Sequence, residues 1–187
     1  MNLEPLLEHV EPVGQIPPVD RWDPQQVGEM DLIIVADGRW IHEGTVIGRP
    51  RLVRLLSTLL RREQDGHHYL VTPVEKQRIQ VKDRPFVIVD TELEGDSWWL
   101  TTNVGDRLCL GNAHRLKVSE TPDGVVVPEV DIRFGLSARL GRNVFYRLVE
   151  VGEQRTTDTG CIELGLTSGG VWQPLGELPG DASGEAS

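Results

Sequence analysis

The sequence predicts an α+β fold of two related halves, each a set of antiparallel strands packed on one helix. Three observations carry this. Short apolar or alternating runs are joined by Asp-Gly and Gly-Gly turns, the usual hairpin signature. Two segments, 50–62 and 136–149, repeat apolar residues at helical spacing. The order strands–helix–strands also occurs twice, the turn glycine leading the helix start by the same distance each time, Gly38 to Pro50 and Gly124 to Leu136. Such a recurrence points to internal duplication.

Residues 1–24 contain Pro5, Pro12, Pro17, Pro18 and Pro24 and read as an extended, acidic, Pro-rich arm, with at most a short helix over 3–10. An N-terminal α+β domain follows over 25–84. Its "DLIIVADGRWIHEG" is a strand, an Asp37-Gly38 turn and a second strand. In "RPRLVRLLSTLLRRE", Leu52, Leu55, Leu56, Leu59 and Leu60 form one buried stripe of a helix, and Pro50 suits its first turn because the missing N–H is not needed there. "EQDGHHYLVTPVEKQRIQV" then supplies a turn and two strands broken near Pro73.

The second α+β domain spans 85–177. "PFVIVDTELEGDSWWLTTNVG" is a hairpin turning near Gly95, and "HRLKVSETPDGVVVPEVDIRF" is a strand, a turn at Asp123-Gly124 and further strand. A helix is expected from Leu136 to Val149, with Leu140, Val144, Phe145, Leu148 and Val149 on its apolar side. "CIELGLTSGGVWQPLG" closes the domain with two strands around Gly169-Gly170. The last stretch, "LPGDASGEAS" (178–187), is small, polar and acidic and is expected to be disordered.

The formal charge of −10 is unevenly spread. Residues 1–31 hold seven acids and one base, and 175–187 hold three acids and no base, which leaves only −1 for the middle of the chain. A negative overall field argues against nucleic-acid binding, which draws most of its affinity from clustered cations on phosphates. No run approaches the ~20 apolar residues of a membrane span. The acidic N-terminus lacks the basic and apolar regions of a signal peptide. Cys109 and Cys161 lie in no metal or redox spacing and read as free thiols of a reducing cytoplasm.

Against this background the basic helix stands out: Arg49, Arg51, Arg54, Arg61 and Arg62 share 49–62 with no acid. Guanidinium groups fit phosphate or carboxylate, so this face is a candidate anion site. The competing reading is a solvated face whose arginine stems cover apolar surface. Arg51 and Arg54 lie along one stripe and are the better candidates. The second predicted helix carries Arg139, Arg142 and Arg147, with Arg133 just before it. Arg51 and Arg139 both fall at predicted helix starts, where a cation opposes the macrodipole by a few tenths of a kcal/mol. An anion between two such starts relieves that misfit, with backbone N–H groups as further donors.

"TPVEK" places Thr72, Glu75 and Lys76 at a break between strands. They either line a pocket, Lys76 meeting an anion and Glu75 a ribose hydroxyl or an arginine, or sit exposed at an edge that Pro73 ends. His67 and His68 are adjacent in a strand, point to opposite faces and make a poor chelate. "LTSGGVW" lacks the lysine and the strand-to-helix setting of a phosphate loop. No G-x-S-x-G, H-E-x-x-H or Cys–His pairing nominates a catalytic residue.

The segments "DGRWIHEGTVIGRPRLVRLLSTLLRRE", "YLVTPVEK", "DRPFVIVD" and "NVFYRLVE" together resemble the bacterial family grouped as domain of unknown function 1285, over Val19–Gly176. That family has Phe where this chain has Leu56, a conservative core change. The resemblance implies a duplicated α+β architecture and a C-terminal half like a pleckstrin-homology barrel. It also implies a site at the interface of the halves for a nucleotide-like ligand in a signalling role, and it carries over no catalytic residue.

The expected function is therefore non-catalytic binding of a small anionic, nucleotide-like ligand at the interface of the halves, in a cytoplasmic signalling or stress pathway. The expected site comprises Arg51, Arg54, Thr72, Glu75, Lys76, Arg133 and Arg139. No cofactor, metal, nucleic acid or membrane is called for. The alternative is a protein–protein adaptor using the basic helix 50–62, and an enzyme of unassigned chemistry comes third.

Overall fold

The computed structural model describes residues 15–178 together with Leu3 and Leu6. Apart from those two leucines, the helix expected over 3–10 falls outside the described residues, as does the tail beyond Leu178. The described residues gather into two compact units. The first takes the described part of Met1–Val87, with Thr102–Asp106 and Asp131–Ala138; the second takes Ile88–Thr101, Arg107–Val130 and the described part of Arg139–Ser187.

Strands β1 (Gln26–Ile34), β2 (Trp40–His42) and β3 (Thr45–Val46) open the first unit. Asp37 shapes the β1–β2 turn by accepting the Arg39 N–H at 3.1 Å. Glu43 and Gly44 make the β2–β3 turn with both φ values positive, at 47° and 77°, as a two-residue turn matched to strand twist requires. Helix α1 (Pro50–Ser57) follows, then β4 (Leu60–Arg62), β5 (His68–Val71) and β6 (Glu75–Val81). These six strands form one sheet in the order β3-β2-β1-β6-β5-β4.

Two expectations are corrected in this unit. The strands are not all antiparallel, because β1 and β6 pair in parallel, from Gln26 opposite Glu75 to Ile34 opposite Val81. Parallel neighbours need a long crossover, and β2, β3, α1, β4 and β5 all lie between these two strands. The helix also ends at Ser57 rather than 62. The Ser57 hydroxyl donates to the Arg54 carbonyl at 2.6 Å, and the Thr58 hydroxyl donates to that of Leu55 at 2.7 Å. Side chains that bond the preceding turn in this way compete with the helical ladder. Leu56, Leu59 and Leu60 are fully buried, whereas Leu52 and Leu55, expected on the same buried stripe, are only half-buried, so the core part of the stripe is its C-terminal end, divided between a helix, a turn and a strand. With Leu32, Ile34, Trp40, Leu70, Val71 and Phe86 it makes the core of this unit. Within the expected arm, Val19–Arg21 form a 3-10 turn whose Val19 is buried.

The second unit holds most of β7 (Phe86–Glu94) and β8 (Ser97–Thr102), all of β9 (Arg107–Cys109) and β10 (Leu116–Glu120), most of β11 (Val126–Arg133) and the last two residues of β12 (Leu136–Leu140); these strands are ordered β10-β11-β12-β7-β8-β9. Helix α2 (Arg142–Glu150) and a meander of β13 (Glu153–Thr156), β14 (Ile162–Ser168) and β15 (Val171–Leu178) complete it. Residues 136–140, expected as the start of a helix, are strand. Leu136, Ala138 and Leu140 alternate with less buried neighbours, which is the period of a strand and not of a helix. Gly141 then serves as the N-cap of α2.

Two buried polar side chains are satisfied inside this unit. Ser168 donates to the Leu110 carbonyl and accepts the Trp98 N–H, each at 2.8 Å. Gln173 accepts the Leu116 N–H at 2.8 Å and donates to Gly111 at 3.4 Å. Pairing of this kind removes most of the cost of burying them. Among the described residues no helix is long and apolar enough to cross a membrane.

Candidate functional site

The candidate site of the first unit begins with α1. Arg49 at its N-cap offers no side-chain cap, and the first turn holds no acid. Arg49, Arg51 and Arg54 are all exposed, and no hydrogen bond or ion pair of their guanidinium groups occurs among the described residues. The Arg54 guanidinium lies against the 102–106 turn, where a side chain on Gly105 would meet its Nη1 at 3.2 Å.

Arg133 reaches the same turn. It donates to Asp106 Oδ2 at 2.6 Å and to the Ser57 carbonyl at 3.2 Å, and lies 5.3 Å from the Phe86 ring centroid. Its side chain is 11% exposed. A cation on the last carbonyl of α1 complements the helix dipole, so Arg133 acts as a structural clamp. The structure thus brings Arg51, Arg54 and Arg133 to one helix but leaves only the first two open to a ligand.

The other expected residues sit elsewhere. Thr72 is buried and closes its own turn: its hydroxyl accepts the Glu75 N–H and donates to the Glu75 carbonyl, both at 3.1 Å. Glu75 accepts from Gln77 at 2.9 Å. Lys76 is held by both oxygens of Glu63, at 2.8 and 2.9 Å, and lies 4.9 Å from the Tyr69 ring centroid. Arg139 belongs to the second unit and lies within β12, not at a helix start. That position passes to Arg142, the first residue of α2, because the helix begins only after Gly141. Arg147 pairs with Asp90 at 2.9 Å and donates to the Thr91 carbonyl at 2.8 Å.

The strongest electrostatic cluster is one that the sequence reading missed. Arg61 donates to Glu63 at 2.5 Å and to the carbonyls of Val19 and Trp22 at 2.5 and 2.8 Å. Burial pushes the Glu63 carboxyl up, but the hydrogen bonds from Lys76 and Arg61 outweigh it and hold the group below its ordinary value. Beside it, Tyr69 donates to Asp65 at 2.7 Å; this bond, with burial, raises the Tyr69 phenol to about 12. Burial, with the nearby Arg62 and His67 charges, lowers His68 to about 4, so it is neutral at neutral pH. An open cleft of about 640 Å³ borders this network, with Trp22 and Phe134 among its walls. None of the seven expected site residues lines it. The usable signal was Ser57-Thr58, which ends the helix and places Arg61 within β4 and Glu63 just after it.

Two family models together match most of the chain: the N-terminal domain of the domain of unknown function DUF1285 over 17–84, and its C-terminal domain over 85–175. The chain belongs to the DUF1285 family. A crystal structure of a DUF1285 family protein from Silicibacter pomeroyi is similar to it at 38% identity and a TM-score of 0.84, covering 95% of this chain and 96% of that one. Another, from Shewanella baltica, has 29% identity and a TM-score of 0.52, covering 64% of this chain and 90% of that one. No curated protein matches the chain.

Proposed function

We propose that this DUF1285 protein is a non-catalytic receptor for a small anionic, nucleotide-like ligand, acting in a cytoplasmic signalling or stress pathway. The observation that carries this reading is the exposed Arg51–Arg54 pair on α1, without partners among the described residues and beside a turn whose carboxylate is already taken. Asp106 is neutralised by Arg133, so a phosphate approaching Arg54 meets no free acid on that turn. A cation-bearing, uncapped helix start favours the same charge. Further support for a duplicated architecture, with a pleckstrin-homology-like second half, is the element order: β-β-β-α-β-β-β describes both β1–β6 with α1 and β10–β15 with α2.

The deciding experiment is a thermal-shift screen with nucleotides and phosphorylated metabolites, repeated on R51A and R54A. A ligand at 100 times its Kd adds about 2.7 kcal/mol. Each variant is expected to lose at least about tenfold in affinity, as the removal of a charge-assisted bond does. Their own melting temperatures stay level or rise. If R54A unfolds the protein, the guanidinium is structural and the reading fails. The alternative, an adaptor for an acidic protein partner, draws on the placement of Arg51 and Arg54 along an exposed helix and outside the cleft. It predicts no response to any small phosphorylated compound.

A further inference from the structure

The first unit contains a second place built to hold something, distinct from the α1 arginines: the cleft walled by Trp22 and Phe134. Both walls are fixed by named bonds. Arg61 holds the Trp22 carbonyl at 2.8 Å, and the Arg62 N–H donates to the Phe134 carbonyl at 3.0 Å. Phe134 and Gly135 form the two-residue turn between β11 and β12, with φ of 49° and 75°. The first position of such a turn favours Asn, Asp or Gly, and a bulky side chain there is strained. Gly135 is required for its own reason, since a side chain on it would meet the Arg62 carbonyl at 3.0 Å. No comparable requirement keeps a phenyl ring at 134, which is only half-buried. A strained residue lining a cleft is a mark of function.

Four acids, Asp20, Asp23, Glu63 and Asp65, and three arginines, Arg21, Arg61 and Arg62, line the cleft, and of these Glu63, Asp65 and Arg61 are taken up in the bonds described above. Asp20, Asp23 and Arg21 line the cleft exposed and make no side-chain hydrogen bond or ion pair among the described residues. Arg62 spends only its Nε, on a long 3.5 Å bond to Gly66. Two free carboxylates, two available guanidinium groups and two ring faces therefore meet in a space of about 640 Å³. Small-molecule sites typically measure ~300–1,000 Å³.

We propose that this cleft binds a small zwitterion with an aromatic body, of the aromatic amino acid class. Its ammonium faces Asp20 and Asp23, its carboxylate faces Arg21 and Arg62, and its ring lies against Trp22 and Phe134. The reading does not rest on the α1 anion site.

The test is calorimetric titration of the full chain with L-phenylalanine, 3-phenylpropanoate (no ammonium) and phenylalanine amide (no carboxylate). L-phenylalanine should bind saturably, and each truncated probe should bind at least about tenfold more weakly. The variant F134N should melt about 2–4 °C higher, because the turn strain is relieved, and its affinity for L-phenylalanine should fall at least about tenfold. R54A should bind L-phenylalanine as the unaltered chain does, whatever becomes of the anion site. The proposal is overturned if L-phenylalanine does not bind at millimolar concentration or if the three probes bind alike. It is equally overturned if R54A abolishes the binding, or if F134N melts lower, which would make the phenyl ring a packing element.

Discussion

The guanidinium of Arg61 grips the carbonyl oxygen of Trp22 at 2.8 Å across 39 residues of sequence. The same group holds the Val19 carbonyl and Glu63, so one side chain anchors the 19–22 segment to the end of β4. R61A should strip two carbonyls of their donor and leave Glu63 to Lys76 alone. Both ion-pair side chains are largely buried, at 14% and 20% exposed, and breaking such a pair costs about 3 kcal/mol. R61K should recover part of it, since an ammonium keeps the charge but lacks the fork. Urea unfolding of the three proteins gives the comparison; an R61A midpoint equal to that of the unaltered chain would show the anchor to be idle.

Leu56 and Leu59 lie on opposite sides of the helix end yet are both fully buried. L56A and L59A should each lose roughly 2–5 kcal/mol, the range for large-to-small changes in a core. A loss below about 0.5 kcal/mol at both positions, well outside that range, would mean that neither helps to close the core.

His68 sets a pH dependence. Its folded value is depressed to about 4 from 6.5, so on acidification the unfolded chain takes up the proton first. Stability is full above the unfolded value and falls as pH drops through the window from 6.5 to 4. Between pH 7 and pH 5 the loss from this residue is about 2 kcal/mol. H68Q should flatten that segment of the curve. Glu63, also depressed, acts lower: its contribution is present above its ordinary 4.5 and is lost below it. Denaturant titrations of the unaltered chain and H68Q at both pH values separate the two groups.

Gly165 lies on β14 where the backbone passes close to β15. A methyl group there would stand 2.5 Å from the Gln173 carbonyl oxygen and 2.5 Å from the Trp172 ring. The carbonyl is backbone and cannot swing away, so G165A should lose about 1–3 kcal/mol, the usual cost of overpacking. Near-neutral melting of G165A would show that the strand has room to shift.

The sequence by itself determined the local punctuation of this protein. Turns at Asp37-Gly38, Gly95, Asp123-Gly124 and Gly169-Gly170 stand where the residues demand them, because the left-handed backbone of such turns depends on a few neighbouring positions. The existence of both helices, and the burial of Leu56, Leu59 and Leu60, were legible from spacing, but the end of the first helix and the start of the second were not. Other features were decided by partners distant in the chain. The strand at 136–140 carries a strand's alternation in Leu136, Ala138 and Leu140, but runs directly into a helical pattern, and its place between β11 and β7 is what separates the two. The parallel β1–β6 pairing has no local signal, since only the completed crossover sets its direction. The fates of the charges were the least legible. Lys76 and Arg133 read as available cations, yet Glu63 and Asp106 claim them, while Arg54, with much the same local character, is left exposed. A charge is satisfied or free according to what folding brings within ~4 Å, and sequence spacing does not contain that distance.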